Sequence, residues 1–291
     1  MTEARPLAGR YLDRLGARIA ATGSVLCLGI DPDVRALPDG FSRDLSGVER
    51  FASLLLETAA PHASAVKVNL AFFEAWGSPG SAALERLRAQ VPAGLPFIAD
   101  AKRGDIGSTS EQHAIALFDV LAADAVTASP YLGPEAIAPL LDRADRFVYL
   151  LCRTSNLDAA VLQGLMVEPD PVSGAPRERL ALRVARLVSS WARHPGGVGL
   201  VVGATAPLEL GAVREVAPLL PFLVPGVGSQ GGQADMALRL GPAIAGEASE
   251  RAGGALLINV SRGIASAALG AADPGEALSQ AAHTWSRTLQ C

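Results

Sequence analysis

Short β-rich runs alternate with helical stretches along this chain, and that alternation leaves few folds open. Eight runs are predicted as strands: 24–31, 65–71, 96–100, 125–130, 146–152, 197–203, 221–226 and 255–260. Stretches between them, such as "VERFASLLLETAA" and "PEAIAPLLDRA", show the spacing of amphipathic helices. Strands that alternate with helices are typical of a parallel sheet built from βα units.

Polar residues follow the ends of these strands, and their placement favours a closed barrel over an open, doubly wound sheet. A barrel collects its catalytic loops on one rim, at the carboxyl ends of the strands. The polar positions are Asp31, Asp100, Ser129, 153–155, 225–230 and 261–262. We therefore predict an α/β protein with a single domain: a (β/α)8 TIM barrel over residues 24–291, preceded by a helical lead-in over 1–23.

The composition narrows the class of protein further. With 291 residues, 49% of them hydrophobic, the chain can bury a large core. Its formal net charge of -4 offers no basic surface for nucleic acid, and no apolar run is long enough to span a membrane. Cys27 and Cys152 lie in apolar strand-like runs without CxxC spacing, which favours buried thiols in a reducing compartment. We expect a soluble, cytoplasmic protein.

The stretch "DAKRGDIGST", residues 100–109, concentrates charge at the end of the third predicted strand. Side chains alternate along a strand, so Asp100 and Lys102 are expected on the same side, and Asp105 follows in the loop. Lys67 interrupts the second strand on the opposite face to its apolar neighbours. If both polar faces line the barrel mouth, they form an alternating row of Lys, Asp, Lys and Asp.

Such a row has two interpretations. Ionised groups at a barrel mouth can pair for structure alone, since an unpaired buried charge is costly. Ionisable groups that converge from several strands at the catalytic rim are more often a site. Because Asp31 ends the first strand and Lys67 lies in the second, beside the charged end of the third, we favour a catalytic site.

A magnesium site is a further alternative, since Asp31, Asp100 and Asp105 could supply oxygen ligands. Two lysines among these carboxylates neutralise the charge that would attract a dication, so we predict no metal. The histidines do not add ligands, because all four are placed in helical segments or at their ends. They are His62, His113, His194 and His283.

A second group of residues indicates a phosphate site. The stretch "VPGVGSQGGQ", residues 224–233, follows the seventh strand, and its glycines let backbone amides approach a ligand closely. Ser261 and Arg262 follow the eighth strand in "INVSRGI". Because loops after strands seven and eight commonly bind phosphate in this architecture, we expect a phosphorylated small molecule.

Together these motifs resemble the orotidine 5'-phosphate decarboxylase family, which makes UMP in pyrimidine biosynthesis. The resemblance rests on "DxKxxD" at 100–105, "GIDPD" at 29–33, "KVN" at 67–69, "CRTSN" at 152–156, "PGVGSQGG" at 225–232 and "SRGI" at 261–264. Their order and spacing are similar to those of the bacterial subgroup with longer loops. One departure is "SNLDA", where the family usually continues with Pro and Gly. The path of the long connection 153–176, either a wall of the site or an insertion, is therefore open.

The resemblance implies decarboxylation of orotidine 5'-monophosphate to UMP and CO2 without metal or cofactor. The charged tetrad of the family would be Lys67, Asp100, Lys102 and Asp105. Loss of CO2 leaves a carbanion at C6 with no cofactor to take the electrons, so preorganised charge must favour the transition state. Lys102 would stabilise and protonate that carbanion, with Asp100 beside the departing carboxylate.

The resemblance also implies a set of substrate contacts and a homodimer. The contacts are Asp31, Ile106, Thr109, Ser155, Pro225, Gln230, Ser261 and Arg262. Asp31 would bind the ribose, Ser155 the pyrimidine and Arg262 the phosphate, while Gln230 would touch both phosphate and base. Asp105 would reach across the dimer interface together with Ile106 and Thr109.

Two other functions compete with this reading. A magnesium-dependent sugar-phosphate decarboxylase of the related suprafamily resembles the same "DxKxxD" barrel, but its strand-two residue is acidic where this chain has Lys67. A non-catalytic nucleotide-binding barrel is the alternative from another class. Retention of every tetrad position disfavours it, and turnover would exclude it.

Overall fold

All eight predicted strands form, and they close into one parallel barrel in which each strand pairs with its neighbours in chain order. A computed structural model describes residues 10–192 and 196–291. The barrel strands are β1 Leu26–Ile30, β2 Ala65–Asn69, β3 Phe97–Arg103, β4 Ala125–Ala128, β5 Phe147–Arg153, β6 Gly197–Val202, β7 Phe222–Val224 and β8 Leu257–Val260. The prediction of a barrel rather than an open sheet is confirmed, because β1 pairs with both β2 and β8.

Helices surround the barrel and follow the strands. The longer ones are α1 Tyr11–Thr22, α2 Leu45–Ala59, α3 Gly77–Gln90, α4 Gly107–Ala114, α5 Pro134–Leu141, α6 Leu180–Trp191, α7 Pro207–Val216, α8 Ala234–Leu240 and α9 Pro274–Thr288. α4 continues as a π-helical turn over Ile115–Val120. Within the described residues, no helix is long and apolar enough to cross a membrane.

The lead-in helix α1 lies at the amino-terminal end of the barrel. Tyr11, Leu15 and Ile19 recur at helical spacing and are buried, and Gly23 ends the helix in a left-handed conformation with φ of 64°. The hydroxyl of Tyr11 lies 3.1 Å from that of Tyr149 on β5. Helical structure over much of the lead-in thus agrees with the sequence, although residues 1–9 lie outside the described part and a domain boundary at residue 23 stays a prediction.

Strand residues are buried on both faces, as expected for a sheet that is covered outside by helices and filled inside by its own side chains. Cys27 and Cys152 are both buried and free, as the sequence predicted. Polar strand residues are few and lie towards the carboxyl ends, where Lys67, Asp100 and Thr127 are buried. The fold thereby places the buried charges of Lys67 and Asp100 at the carboxyl-terminal rim of the barrel.

The long connection 153–176 contains ordered structure. A short helix spans Ala159–Gln163, and Met166–Val167 pairs antiparallel with Glu178–Arg179. Glu178 is buried and accepts hydrogen bonds from Arg183 at 3.0 Å and Arg186 at 2.9 Å. This pairing ties the end of the connection to α6.

Candidate active site

A cavity of about 410 Å³ opens at the carboxyl ends of the strands. Its walls are Asp31, Lys67, Asn69, Asp100, Lys102, Thr127, Leu151, 154–156, Val201, Leu223, 225–227, Ser229, Gln230, Asn259, Ser261 and Arg262. These residues come from all eight strands or the loops that follow them. The cavity therefore combines the predicted charged row with the predicted phosphate loops.

Asp100 is the centre of the charged row. Its Oδ2 accepts a hydrogen bond of 2.8 Å from Lys67 Nζ, and its Oδ1 accepts one of 2.6 Å from Lys102 Nζ. Thr127 Oγ1 donates a third, of 2.8 Å, to Oδ1. Asp31 lies on the other side of Lys67, with its Oδ1 3.8 Å from Nζ. The mouth of the barrel thus carries four side chains of alternating charge, in the order Asp31, Lys67, Asp100 and Lys102.

Asp100 and Lys67 are kept in their charged forms by the charged groups beside them. Burial alone would raise the pKa of Asp100, but the ammonium groups of Lys67 and Lys102 outweigh it and hold that pKa far below its ordinary value. Burial alone would lower the pKa of Lys67, but the carboxylates of Asp31 and Asp100 outweigh it and raise that pKa. At neutral pH both groups are charged, as a preorganised electrostatic site requires.

Lys102 reaches Asp100 through an irregularity in β3 and not through simple strand alternation. Residues 100–102 stand opposite the single residue Thr127, because the register with β4 shifts between Ala99 and Arg103. Lys102 has φ of 50°, which is uncommon for a side chain other than glycine. Its backbone N–H donates to Thr127 Oγ1 at 3.0 Å. Strain of this kind accumulates where function fixes a geometry.

Thr127 was not predicted from the sequence, although it forms hydrogen bonds with both Asp100 and Lys102. Its hydroxyl accepts from the Lys102 backbone and donates to the Asp100 carboxylate. A threonine inside "AVTASP" has the pattern of an ordinary β-branched strand residue, so nothing in the sequence singles it out. The signal is its place on β4, next to the charged end of β3.

Two acceptors in the cavity have no hydrogen bond from the described residues. They are Oδ1 of Asp31 and Oδ1 of Asn259, and both are buried. Buried polar atoms are normally satisfied, so these two mark positions where a ligand can place hydrogen-bond donors. Gly29 leaves this space open, since a Cβ there would lie 2.7 Å from Ser261 Cβ and 2.9 Å from Asn259 Oδ1.

The glycine-rich loop after β7 packs against Ser155, which follows β5. Gly226 has φ of 95°, and a Cβ on it would lie 2.9 Å from Ser155 Cβ and 3.1 Å from Gln230 Oε1. Ser155 and Gln230 therefore converge on one glycine although they follow different strands. Arg262 opens the short helix Arg262–Ala265, is exposed, and forms no ion pair with any described residue.

The first part of the long connection is a wall of the site. Thr154 lines the cavity and is held by Gln163, whose Oε1 accepts from the Thr154 backbone N–H at 2.9 Å. Gln163 Nε2 also donates to Thr154 Oγ1 at 3.1 Å. Sequence reasoning left this connection undecided, because the contact joins residues nine positions apart in a segment without periodicity.

Three predicted residues do not line the cavity of their own chain. They are Asp105, Ile106 and Thr109. Asp105 uses its Oδ1 to accept from the Ile106 backbone N–H at 2.7 Å, and the Ile106 side chain is 64% exposed. The structure thus brings together Lys67, Asp100 and Lys102, while Asp105 stands apart from them.

The alternative set of metal ligands is not assembled. Within residues 10–192 and 196–291, no group of three or more His, Cys, Asp or Glu side chains is arranged to hold a metal ion. Both oxygens of Asp100 accept from ammonium groups. His62 and His283 stack edge to face at 5.4 Å, away from the cavity, and His194 lies outside the described residues.

Fold and cavity together define a (β/α)8 barrel enzyme whose site joins the row of Lys67, Asp100 and Lys102 to the glycine-rich loop after β7 and the loop of Arg262 after β8. The sequence profile of the orotidine 5'-phosphate decarboxylase / HUMPS family matches residues 24–281, and the chain belongs to this family. An orotidine 5'-phosphate decarboxylase of Herpetosiphon aurantiacus is 41% identical over 254 residues, which cover 87% of this chain and 88% of that protein.

Solved structures agree with this assignment. The OMP decarboxylase of Leishmania donovani is 36% identical with a TM-score of 0.78, covering 97% of this chain and 100% of that one. The UMP synthase of the same organism is 38% identical with a TM-score of 0.80, and this chain spans 57% of its length. Family and relatives support decarboxylation of orotidine 5'-monophosphate in pyrimidine biosynthesis.

Proposed function

We propose that this chain decarboxylates orotidine 5'-monophosphate to UMP and CO2 without a metal or an organic cofactor. The observation that carries the proposal is the Asp100 carboxylate held between the ammonium groups of Lys67 and Lys102. When the bond between C6 and the carboxyl carbon breaks, CO2 leaves and the electron pair stays on C6. A fixed cation beside C6 stabilises that charge more than it stabilises the substrate, which lowers the barrier.

Lys102 is the proposed proton donor. Its side chain is half-exposed and lines the cavity, whereas Lys67 is buried. After CO2 leaves, Nζ of Lys102 gives a proton to C6 and regains one from solvent. Asp100 and Thr127 fix the position of Nζ for this transfer, which needs the donor within hydrogen-bond reach.

The remaining predicted contacts are proposed to bind the rest of the nucleotide. Asp31, whose buried Oδ1 lacks a donor, accepts from a ribose hydroxyl. Ser155 contacts the pyrimidine, and Gln230 contacts base and phosphate from the loop that starts at Pro225. Arg262 pairs with the phosphate, next to Ser261. Binding energy from the phosphate, far from C6, then organises the site.

A homodimer is proposed to complete each site. Asp105, Ile106 and Thr109 do not line the cavity of their own chain, and the apolar residue among them, Ile106, is 64% exposed. Tyr131 and Leu132, in the next loop around the barrel, are 78% and 57% exposed. An apolar patch beside a catalytic rim fits a second copy of the chain, which would receive Asp105 into its own site.

The magnesium-dependent sugar-phosphate decarboxylase of the related suprafamily is the second candidate. It requires an acidic residue where this chain has Lys67, which is buried between two carboxylates. A cation at that position repels a dication. The geometry therefore supports orotidine 5'-monophosphate as the substrate, in the cytoplasmic pathway to UMP.

Ultraviolet-monitored conversion of orotidine 5'-monophosphate in excess EDTA tests the proposed reaction. We expect turnover that is unchanged by the chelator and by added magnesium. Turnover that appears only with magnesium would support the sugar-phosphate rival, and binding of UMP without turnover would support a non-catalytic barrel.

Mixing of two inactive variants tests the shared site. Asp105→Ala and Lys102→Ala subunits, each inactive alone, form heterodimers in which one of the two sites is intact. With random exchange we expect about one quarter of wild-type activity. If native mass spectrometry shows heterodimers and activity does not return, Asp105 does not act across the interface.

A further inference from the structure

Trp285 lies behind the two loops proposed to bind phosphate. It belongs to α9, the last helix of the chain, and its ring is half-buried against the core. It does not line the cavity, and no sequence motif singled it out. Its contacts nevertheless join the loop after β7 to the loop after β8.

The first contact is a hydrogen bond. Nε1 of Trp285 donates to the carbonyl oxygen of Gly263 at 3.1 Å. Gly263 directly follows Arg262, whose side chain lines the cavity. A Cβ on Gly263 would lie 3.2 Å from Nε1, so the backbone here is pressed against the indole.

The second contact is the packing of Gly228 on the same ring. Gly228 has φ of 81°, and a Cβ on it would lie 3.2 Å from Cζ2 of Trp285 and 3.3 Å from Cη2. It lies between the cavity residues Val227 and Ser229, two positions before Gln230. One indole therefore supports the backbone of both loops.

Helix α9, which carries Trp285, is held at both of its ends. Asp273 caps the start of α9 by accepting from the Glu276 backbone N–H at 3.0 Å. At the other end Leu289 is fully buried, and its carbonyl oxygen accepts from the Val25 backbone N–H at 3.0 Å, at the start of β1. Because α9 is held at both ends, the position of Trp285 relative to the two loops is fixed.

We propose that Trp285 is a positioning residue for phosphate binding, which sets the loop of Gln230 and the loop of Arg262 at the right separation for one phosphate. The proposal rests on the proposed phosphate role of those two residues. It assigns to the indole an effect on the phosphate alone, because its contacts lie on the phosphate side of the cavity and not beside Asp100.

The test is the affinity for UMP compared with uridine, which lacks the phosphate, in the Trp285→Phe variant. Phenylalanine keeps an aromatic ring but has no N–H, and one net hydrogen bond corresponds to about fivefold in a dissociation constant. We expect UMP binding about fivefold weaker, unchanged uridine binding, and a kcat/KM for the phosphorylated substrate that is lowered by at least the same factor. Trp191→Phe, on the far helix α6, is the matched control and should change neither affinity.

The Arg262→Ala variant distinguishes a wrong phosphate assignment from a wrong role for Trp285. If this variant still prefers UMP over uridine as the wild type does, the phosphate assignment itself is wrong. If Arg262→Ala loses that preference while Trp285→Phe keeps it, the role of Trp285 is refuted.

A second measurement leaves Trp285 in place. The chain has three tryptophans, so the double variant Trp76→Phe, Trp191→Phe contains Trp285 alone. We expect its fluorescence to change on addition of UMP and to stay constant on addition of uridine. Fluorescence that does not change at a saturating concentration of UMP would contradict a coupling between Trp285 and phosphate binding.

Discussion

Lys67 and Lys102 donate to opposite oxygens of a single carboxylate, at 2.8 Å to Oδ2 and 2.6 Å to Oδ1 of Asp100. They are also the only two lysines in the chain, whose other permanent cations are arginines. An ammonium is a compact charge that can give up a proton, whereas a guanidinium stays charged. Lysine is therefore found only where the proposed chemistry needs it.

This composition makes the charge state of the site directly measurable. Protein labelled with 15N at lysine Nζ should show two lysine signals, and Lys102→Ala identifies the one from Lys67. We expect the pKa of Lys67 to lie well above the ordinary value of about 10.4, because Asp31 and Asp100 outweigh its burial. In Asp100→Asn that pKa should fall. A wild-type value at or below the ordinary one would contradict the charged row.

The same shifts predict how stability depends on pH. Lys67 has a raised pKa in the folded state, so its contribution is complete below about pH 10 and is lost as the pH rises through the folded value. Asp100 has a depressed pKa, so its contribution is complete above about pH 4 and is lost in acid. Urea unfolding of wild type and Asp100→Asn should therefore differ by a constant amount between pH 5 and 9, a difference that shrinks below about pH 4.

Thr127→Val removes a hydroxyl at nearly constant volume. Asp100 and the Lys102 backbone each lose a hydrogen bond, so we expect kcat to fall by about tenfold, which corresponds to about 1.4 kcal/mol. KM should change little, since Thr127 is not proposed to bind the nucleotide. Thr288→Val, on the exposed end of α9, is the control and should leave kcat unchanged. Full activity in Thr127→Val would show that Lys102 keeps its place without the hydroxyl.

Asp124 tests the separation of stability from catalysis. It is buried at the amino-terminal start of β4, accepts from Arg14 at 2.5 Å and from the Phe97 backbone N–H at 2.7 Å, and lies at the opposite end from the cavity. Asp124→Ala leaves buried donors unpaired and should lower the free energy of unfolding by about 3 kcal/mol or more. Below the melting temperature, kcat should remain that of wild type. The control is the ion pair between Arg143 and the half-exposed Asp119, and Asp119→Ala should cost less than about 1 kcal/mol.

The sequence predicts most of the fold because each strand is a short, mostly apolar run that is separated from the next by a helical stretch. Every predicted strand forms, with ends displaced by a few residues; β3, for example, extends to Arg103. The bulge that turns Lys102 towards Asp100 could not be predicted, since it depends on the pairing of β3 with Thr127 of β4. Strand alternation gave the right pairing of Asp100 and Lys102 for an incomplete reason.

Some residues of the site could likewise be predicted from the sequence, and others could not. Charged residues at strand ends were identified from the sequence because charge is conspicuous in an apolar run. Thr127, Asn259 and Trp285 were not identified, because their roles come from neighbours that only the folded chain supplies. The position of Asp105 outside its own cavity is a property of the fold, and its proposed role needs a second chain.

The measurement that tests the central claim most directly is turnover of orotidine 5'-monophosphate by Lys102→Ala, with Lys102→Arg beside it. Both variants should stay folded, because Asp100 keeps Lys67 and Thr127 as hydrogen-bond partners. Both should lose at least about 1,000-fold in kcat, since neither retains a side chain that can give a proton to C6. Near-normal turnover in Lys102→Ala would contradict the account, and near-normal turnover in Lys102→Arg alone would reduce Lys102 to a fixed charge.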